Sequence, residues 1–272
     1  SGLLDAARRN LSRGLTDLAI FEEGLVFLPS AGAKNLKELP AGNERPTEAQ
    51  LNQLQQTVPQ QPHRVAGVFT GNRVSQQVGV AAIEADYQDA IHAARLVTHA
   101  VGLQLVVRQA SPVGFHPGRS AELLVATSAG EISIGFAGEL DPNLTVENDL
   151  PRRVAAFEID LSQLFAIAPN VIQAGSVLTM PAATQDLSLV VPVDVPAGDV
   201  LVVIREGAGE LLEHVSLTDD YRGANVQPGH KSLTFALRFR AEDRTLTQAE
   251  ASVARDQAVA LAGEKFGATL RA

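Results

Sequence analysis

Between Lys231 and Arg240 the side chains alternate without a break. Leu233, Phe235, Leu237 and Phe239 fall on one side of an extended chain, and Ser232, Thr234, Ala236, Arg238 and Arg240 fall on the other. Successive residues of a strand point to opposite faces, so this segment predicts a strand that buries one face and leaves a polar, cationic face open. A little further on, Thr247 and Glu250 stand at the spacing of a capping box, in which each residue satisfies a free amide of the other and a helix begins. An open sheet face carrying arginines and small hydroxyls suits contacts to phosphates and bases.

The neighbouring segments complete a pattern. From Met180-Pro181 onward the chain reads as strand Asp186–Val191, helix Ala197–Gly207, strand Leu212–Tyr221, strand Lys231–Arg240, helix Gln248–Lys265 and a short strand Ala268–Arg271. That β-α-β-β-α-β order is the split ferredoxin-like arrangement. Pro196 can open the first helix, and Gly207 and Gly209 can close it. Leu187, Leu189 and Val191 are expected to pack against Val203, Ile204, Ala258 and Leu261. One piece resists the parity argument: Asp219 and Tyr221 share a side with the core-like Val215 and Leu217. Either the strand bends, or its end runs past the helices.

Upstream, Leu3, Leu4, Ala7 and Leu11 recur at helical spacing, with Gly14 as a C-terminal cap. Leu18–Leu28 and Arg64–Thr70 read as strands, separated by a Gly-, Pro-, Asn- and Gln-rich surface excursion over 31–62 with a short helix after Pro46. Asp86 caps a helix whose Ala90, Ile91, Ala94, Val97 and Val101 share a face and which Gly102 ends. Strands follow at Leu103–Arg108, Leu123–Thr127, Glu131–Phe136 and Val154–Ile159, then a short helix at Leu161–Ala168. Strands with irregularly placed helices predict an antiparallel α+β sheet. The fold class is therefore α+β, with two domains expected at 1–178 and 179–272, in line with a length of 272 residues.

Composition removes several functions. There is no cysteine, hence no disulfide and no thiolate metal site. No apolar run is long enough to span a bilayer and no signal-peptide layout opens the chain, which fits a cytoplasmic protein. The net charge is −9, and residues 181–272 hold nine Lys/Arg against thirteen Asp/Glu. Any RNA contact must therefore be local rather than driven by overall attraction. His63, His92, His99, His116, His214 and His230 include no pair at metal-ligand spacing, and there is no nucleophile elbow or phosphate loop. The arginines at 8, 9, 13, 152 and 153 read first as solvated helix faces or salt-bridge partners. The sequence predicts no independent catalytic site.

These residues also carry a resemblance. Tyr221-Arg222-Gly223, Lys231-Ser232-Leu233, Arg238-Phe239-Arg240 and Asp243-Arg244-Thr245-Leu246-Thr247 together resemble the C-terminal, ferredoxin-like anticodon-binding domain of the bacterial phenylalanine–tRNA ligase beta subunit. Leu3-Leu4-Asp5-Ala6-Ala7-Arg8-Arg9-Asn10, Phe115-His116-Pro117-Gly118-Arg119-Ser120-Ala121-Glu122 and Gly138-Glu139-Leu140-Asp141-Pro142 resemble the preceding domain of that subunit. The resemblance implies a class II synthetase-like antiparallel domain without catalytic function, with Phe21-Glu22 where a catalytic domain shows Arg and Glu around ATP. It implies the C-terminal part of a longer subunit, with no cofactor in this part. For the whole enzyme it implies ATP and Mg2+, a catalytic alpha subunit in an (αβ)2 assembly, and tRNA(Phe).

Carried onto matching positions, the anticodon contacts fall on Ser188, Asp219, Tyr221 and Ser232, with Arg238 and Arg240 on the same face. Tyr221 offers a ring for stacking and Asp219 an acceptor for a guanine edge, while both serines can admit and bond a base. Gln185 and His230 depart from the family's usual arginine and lysine. Two rival readings stand beside this one: a ferredoxin-like module that serves an interface without RNA, and a small independent enzyme.

Overall fold

The computed structural model describes residues 2–28, 42, 45–172, 174 and 179–271. The chain divides into two compact units, Ser1–Gln173 and Ala174–Ala272. Residues 31–41, 43 and 44 of the expected surface excursion lie outside the described residues.

In the first unit the elements are α1 (Gly2–Ser12), β1 (Leu18–Leu25), α2 (Glu48–Thr57), β2 (His63–Thr70), β3 (Asn72–Val74), β4 (Ile83–Glu84), α3 (Tyr87–Ala100), β5 (Leu105–Gln109), β6 (Phe115–Thr127), β7 (Gly130–Leu140), α4 (Pro142–Glu147), β8 (Ala155–Asp160) and α5 (Leu161–Ile167). Six strands form one antiparallel sheet in the order β1-β2-β8-β7-β6-β5, and β3 pairs with β4. The helices α3 and α5 cover one face, where Ala90, Ala94, Leu161 and Leu164 pack with Leu123, Val125, Ile134, Phe157 and Ile159. A smaller core joins Leu3 and Ala7 of α1 to Leu18, Val68, Leu140 and Ala156. Val65 and Phe157 go to the first core and Val68 and Ala156 to the second, as the two-residue period of a strand requires.

The segment Phe115–Glu122 is extended chain even at Pro117-Gly118, a pair that favours turns. It lies inside the long strand β6, whose pairing with β7 is interrupted between Phe115/Leu140 and Ser120/Gly138. Ser120 fills the gap by donating to the carbonyls of Ala110 and His116 (2.8 and 2.7 Å). Arg119 and Arg153 both reach the buried Glu139, at 2.8 and 3.6 Å, so these basic residues hold strands together.

The second unit contains β9 (Ala183–Pro192), α6 (Ala197–Ala208), a single 3-10 turn at Gly209–Leu211, β10 (Leu212–Tyr221), β11 (His230–Phe239), α7 (Gln248–Phe266) and β12 (Thr269–Leu270). Its antiparallel sheet runs β10-β11-β9-β12. Leu233, Phe235, Leu237 and Phe239 are fully buried beneath the two helices, together with Leu187, Leu189 and Val191. Gly207 departs from its expected role as a helix stop. It lies inside α6, and a β-carbon there would stand 2.7 Å from the Cα of Ala258. The missing side chain lets α6 approach the alanine stripe Ala251, Ala254, Ala258 and Ala262 of α7. Gly209, with φ of +67°, is the residue that ends the helix.

The capping box at Thr247 is formed: its hydroxyl accepts from the Glu250 amide, and the Glu250 carboxylate accepts from the Thr247 amide (2.9 Å) and hydroxyl (2.8 Å). These bonds, the backbone one first, hold the Glu250 carboxyl below its usual range. A group depressed on folding contributes stability above its unfolded pKa and loses it as pH falls through the folded one. Thr247→Ala removes the N-cap side chain, a loss that costs about 1 kcal/mol at helix starts near neutral pH. The difference from the native chain should narrow in acid, as read from denaturation midpoints across a pH series.

Candidate nucleic-acid interface

The parity conflict in β10 is resolved by a bulge. Val215 pairs with Leu237 and Leu217 with Phe235, but Asp219 pairs with Thr234 and Tyr221 with Ser232. Thr218 is the extra residue, and its hydroxyl donates to the Thr234 carbonyl (3.0 Å). One inserted residue reverses which face the rest of a strand presents. Val215 therefore stays with the core, whereas Asp219 and Tyr221 turn to the open face. Ser188, which pairs with Thr234, and Val190, which pairs with Ser232, lie on that same face. The bend anticipated as one of two options is a bulge in the register, and it brings Ser188, Asp219, Tyr221 and Ser232 together.

Contacts within this face are specific. The hydroxyls of Ser188 and Thr234 bond each other at 2.9 Å. Ser232 is fully buried, and its Oγ has no hydrogen-bond partner among the described residues. Tyr221 is half-buried, and the Arg271 guanidinium carbon lies 4.8 Å from its ring centroid. A β-carbon on Gly223 would collide with the Tyr221 hydroxyl, so the glycine after Tyr221-Arg222 makes room for the ring. Arg222 grips Asp220 through two bonds of 3.0 and 2.9 Å, which lower the Asp220 pKa and raise that of Arg222. Asp219 remains exposed.

Arg238 and Arg240 sit apart from this group. Arg238 lies six residues along β11 from Ser232, roughly 20 Å at the rise of a strand. Both arginines meet Glu213, at 2.8 and 3.1 Å, and Arg240 also donates to the Met180 carbonyl (2.7 Å). Their side chains are 47% and 19% exposed, so Arg240 is largely committed within the fold. Of the two departures from the family pattern, Gln185 points to the helical side and donates to Ser252 of α7 (2.9 Å). His230 has the parity of Ser232, with its ring nitrogen 3.3 Å from the Pro228 carbonyl. Lys231 has the opposite parity, and its chain is buried.

In the first unit, a cavity of about 390 Å³ lies among α1, β1, β2 and β8, with Glu22, Arg64 and Glu158 as its charged lining. Arg64 and Glu158 form an ion pair across β2 and β8. Phe21 is 75% exposed on the edge strand β1, Leu25 is exposed at its end, and Phe27 is exposed two residues beyond it. Among the described residues, no three His, Cys, Asp or Glu side chains are grouped to hold a metal. No described helix is long and apolar enough to cross a membrane.

Residues 1–161 match the family model described as the phenylalanyl tRNA synthetase beta chain CLM domain, and residues 179–271 match that of the ferredoxin-fold anticodon binding domain. The chain belongs to the phenylalanyl-tRNA synthetase beta chain family. Similar proteins include the phenylalanine–tRNA ligase beta subunits of Leifsonia xyli, 50% identical over 270 residues, Streptomyces avermitilis, 46% identical, and Thermobifida fusca, 43% identical. Each alignment covers 99% of this chain and 32% of the relative. The chain thus spans about a third of the length of the curated relatives it matches. It carries the family's CLM domain followed by its ferredoxin-fold domain, and the face described above belongs to the second.

Two members of this face's network are not among the residues expected to contact RNA. Alternation with Ser232 does place Thr234 on the open face, but not its bond to Ser188. Arg271 gives no local signal, because its place depends on β12 docking beside β9, where its amide donates to the Ser188 carbonyl (3.0 Å).

Proposed function

We propose that this chain is the C-terminal part of a phenylalanine–tRNA ligase beta subunit and binds the anticodon of tRNA(Phe) on the open sheet face of its second unit. The bulge at Thr218 is the observation that carries the reading, since it gathers a ring, an exposed carboxylate and two hydroxyls on one surface. Tyr221 stacks on a base, Asp219 accepts from a guanine edge, and Ser188 and Ser232 bond bases that approach the sheet. Arg238, half-exposed at the far end of β11, faces RNA phosphates from beside Glu213, and Arg240 supports it. The whole enzyme, with ATP and Mg2+, charges tRNA in the cytoplasm, and its catalytic alpha subunit supplies the chemistry in an (αβ)2 assembly.

The first unit serves assembly. Phe21 and Leu25 on an edge strand, with Phe27 just past its end, offer exposed apolar side chains of the kind that a partner subunit covers. Titration of the chain with an RNA hairpin bearing a GAA anticodon loop, over a salt series, tests the RNA reading. Binding that weakens with salt and is lost when the loop sequence is scrambled supports it. Binding to neither hairpin would favour a ferredoxin-like module that serves an interface alone.

A further inference from the structure

We propose that Arg271 is a gating residue of the sheet face: it closes over Tyr221 and Ser232 in the free protein and is displaced by an incoming base. The proposal rests on the reading of this face as an RNA site and adds how that site opens. β10 and β12 are the two edges of the sheet, so Tyr221 and Arg271 belong to opposite borders. Three strand spacings, about 14 Å, separate those borders. The two side chains nevertheless meet, with the guanidinium 4.8 Å from the ring centroid. They bridge the central strands β11 and β9.

Ser232 lies on β11 directly beside Tyr221, and it is 0% exposed with an unpartnered Oγ. A base cannot bond that hydroxyl while the face is closed. One side of the Tyr221 ring is likewise already occupied by a cation. The alternative partners of Ser188 and Thr234 are each other. Among the buried side-chain polar atoms of this face, the Ser232 Oγ is thus the one left without a partner among the described residues, and it is the group a base would complete.

The closure is built to yield. Arg271 is fixed at its backbone by the bond to the Ser188 carbonyl, but among the described residues no carboxylate holds its guanidinium. What retains it is a cation–π contact at a half-exposed site, weaker than the stacking of a nucleobase on the same ring. A base thus displaces the guanidinium, gains the ring and uncovers the Ser232 hydroxyl in one step. Because binding needs the open form, the closed fraction lowers the apparent affinity.

Two measurements on the full chain test this. The protein has two tyrosines and no tryptophan, so in a Tyr87→Phe background the fluorescence reports Tyr221 alone. Arg271→Ala in that background should increase acrylamide quenching of the free protein; unchanged quenching would show that the ring is not covered. The same variant should bind the GAA-loop hairpin about two- to fivefold more tightly at high salt, as release of an exposed cation–π contact predicts. A salt series shows the lost positive charge separately, as a change of slope. Hairpin binding that Arg271→Ala leaves unchanged or weakens overturns the gate and leaves the RNA reading intact. Absence of hairpin binding in both proteins removes the RNA reading, and the gate with it.

Discussion

Phe235→Ala is expected to destabilise the second unit by about 3–5 kcal/mol, the cost of emptying a fully packed aromatic site. Phe235 is completely buried at the centre of β11, between Leu187 on one neighbouring strand and Leu217 on the other. It faces the core formed with α6 and α7. The close Gly207–Ala258 approach seats the two helices against each other, so neither can shift alone into the void without disturbing that contact. The loss is comparable to a large share of a domain's total stability. Amide hydrogen exchange resolves the two units separately. Protection of β9, β10 and β11 should fall by roughly two to four orders of magnitude, while that of β6, β7 and β8 stays unchanged. Equal loss in both units would mean that they unfold as one.

Tyr221→Ala is expected to weaken binding of the GAA-loop hairpin by about 5- to 150-fold, corresponding to stacking worth about 1–3 kcal/mol per base. Tyr221 holds the ring at the end of β10, opposite Ser232 and one bulge beyond the core. Arg205→Ala is the matching control. Arg205 is an exposed cation on α6, which covers the opposite face of the sheet. Its removal subtracts a charge without touching the ring and should leave the affinity close to that of the native chain. Similar losses from both substitutions would indicate diffuse attraction to the protein as a whole. No loss from Tyr221→Ala would move the RNA site off this face.

The contrast between β11 and β10 shows how much of this was legible. In β11 the alternation is unbroken, so Leu233, Phe235, Leu237 and Phe239 could be assigned to the core from the sequence and are found there. The capping boxes behave the same way: Asp86 and Thr247 each start a helix where local chemistry says they should. Such signals are local, and burial of one face is a strong enough constraint to make them decisive. In β10 the same rule fails at Thr218. A bulge adds a residue without any composition of its own, and its cost is offset by pairing across strands that are distant in sequence.

Local patterns in the chain carried the element order of the second unit, most elements of the first though not β3, β4 or α4, the buried face of the ferredoxin-like sheet and, through several ordered motifs, the family. Each of these depends on residues close together in the chain. Only the strand register explains how Asp219 and Tyr221, which the family resemblance groups with Ser188 and Ser232, reach that surface against the parity of β10. Tertiary structure also decided that Gly207 is a contact point rather than a helix stop, that Glu213 claims Arg238 and Arg240, and that Arg271 reaches Tyr221 from the far edge. All four are contacts between segments brought together by folding, and no local pattern encodes which partner a side chain meets across a sheet.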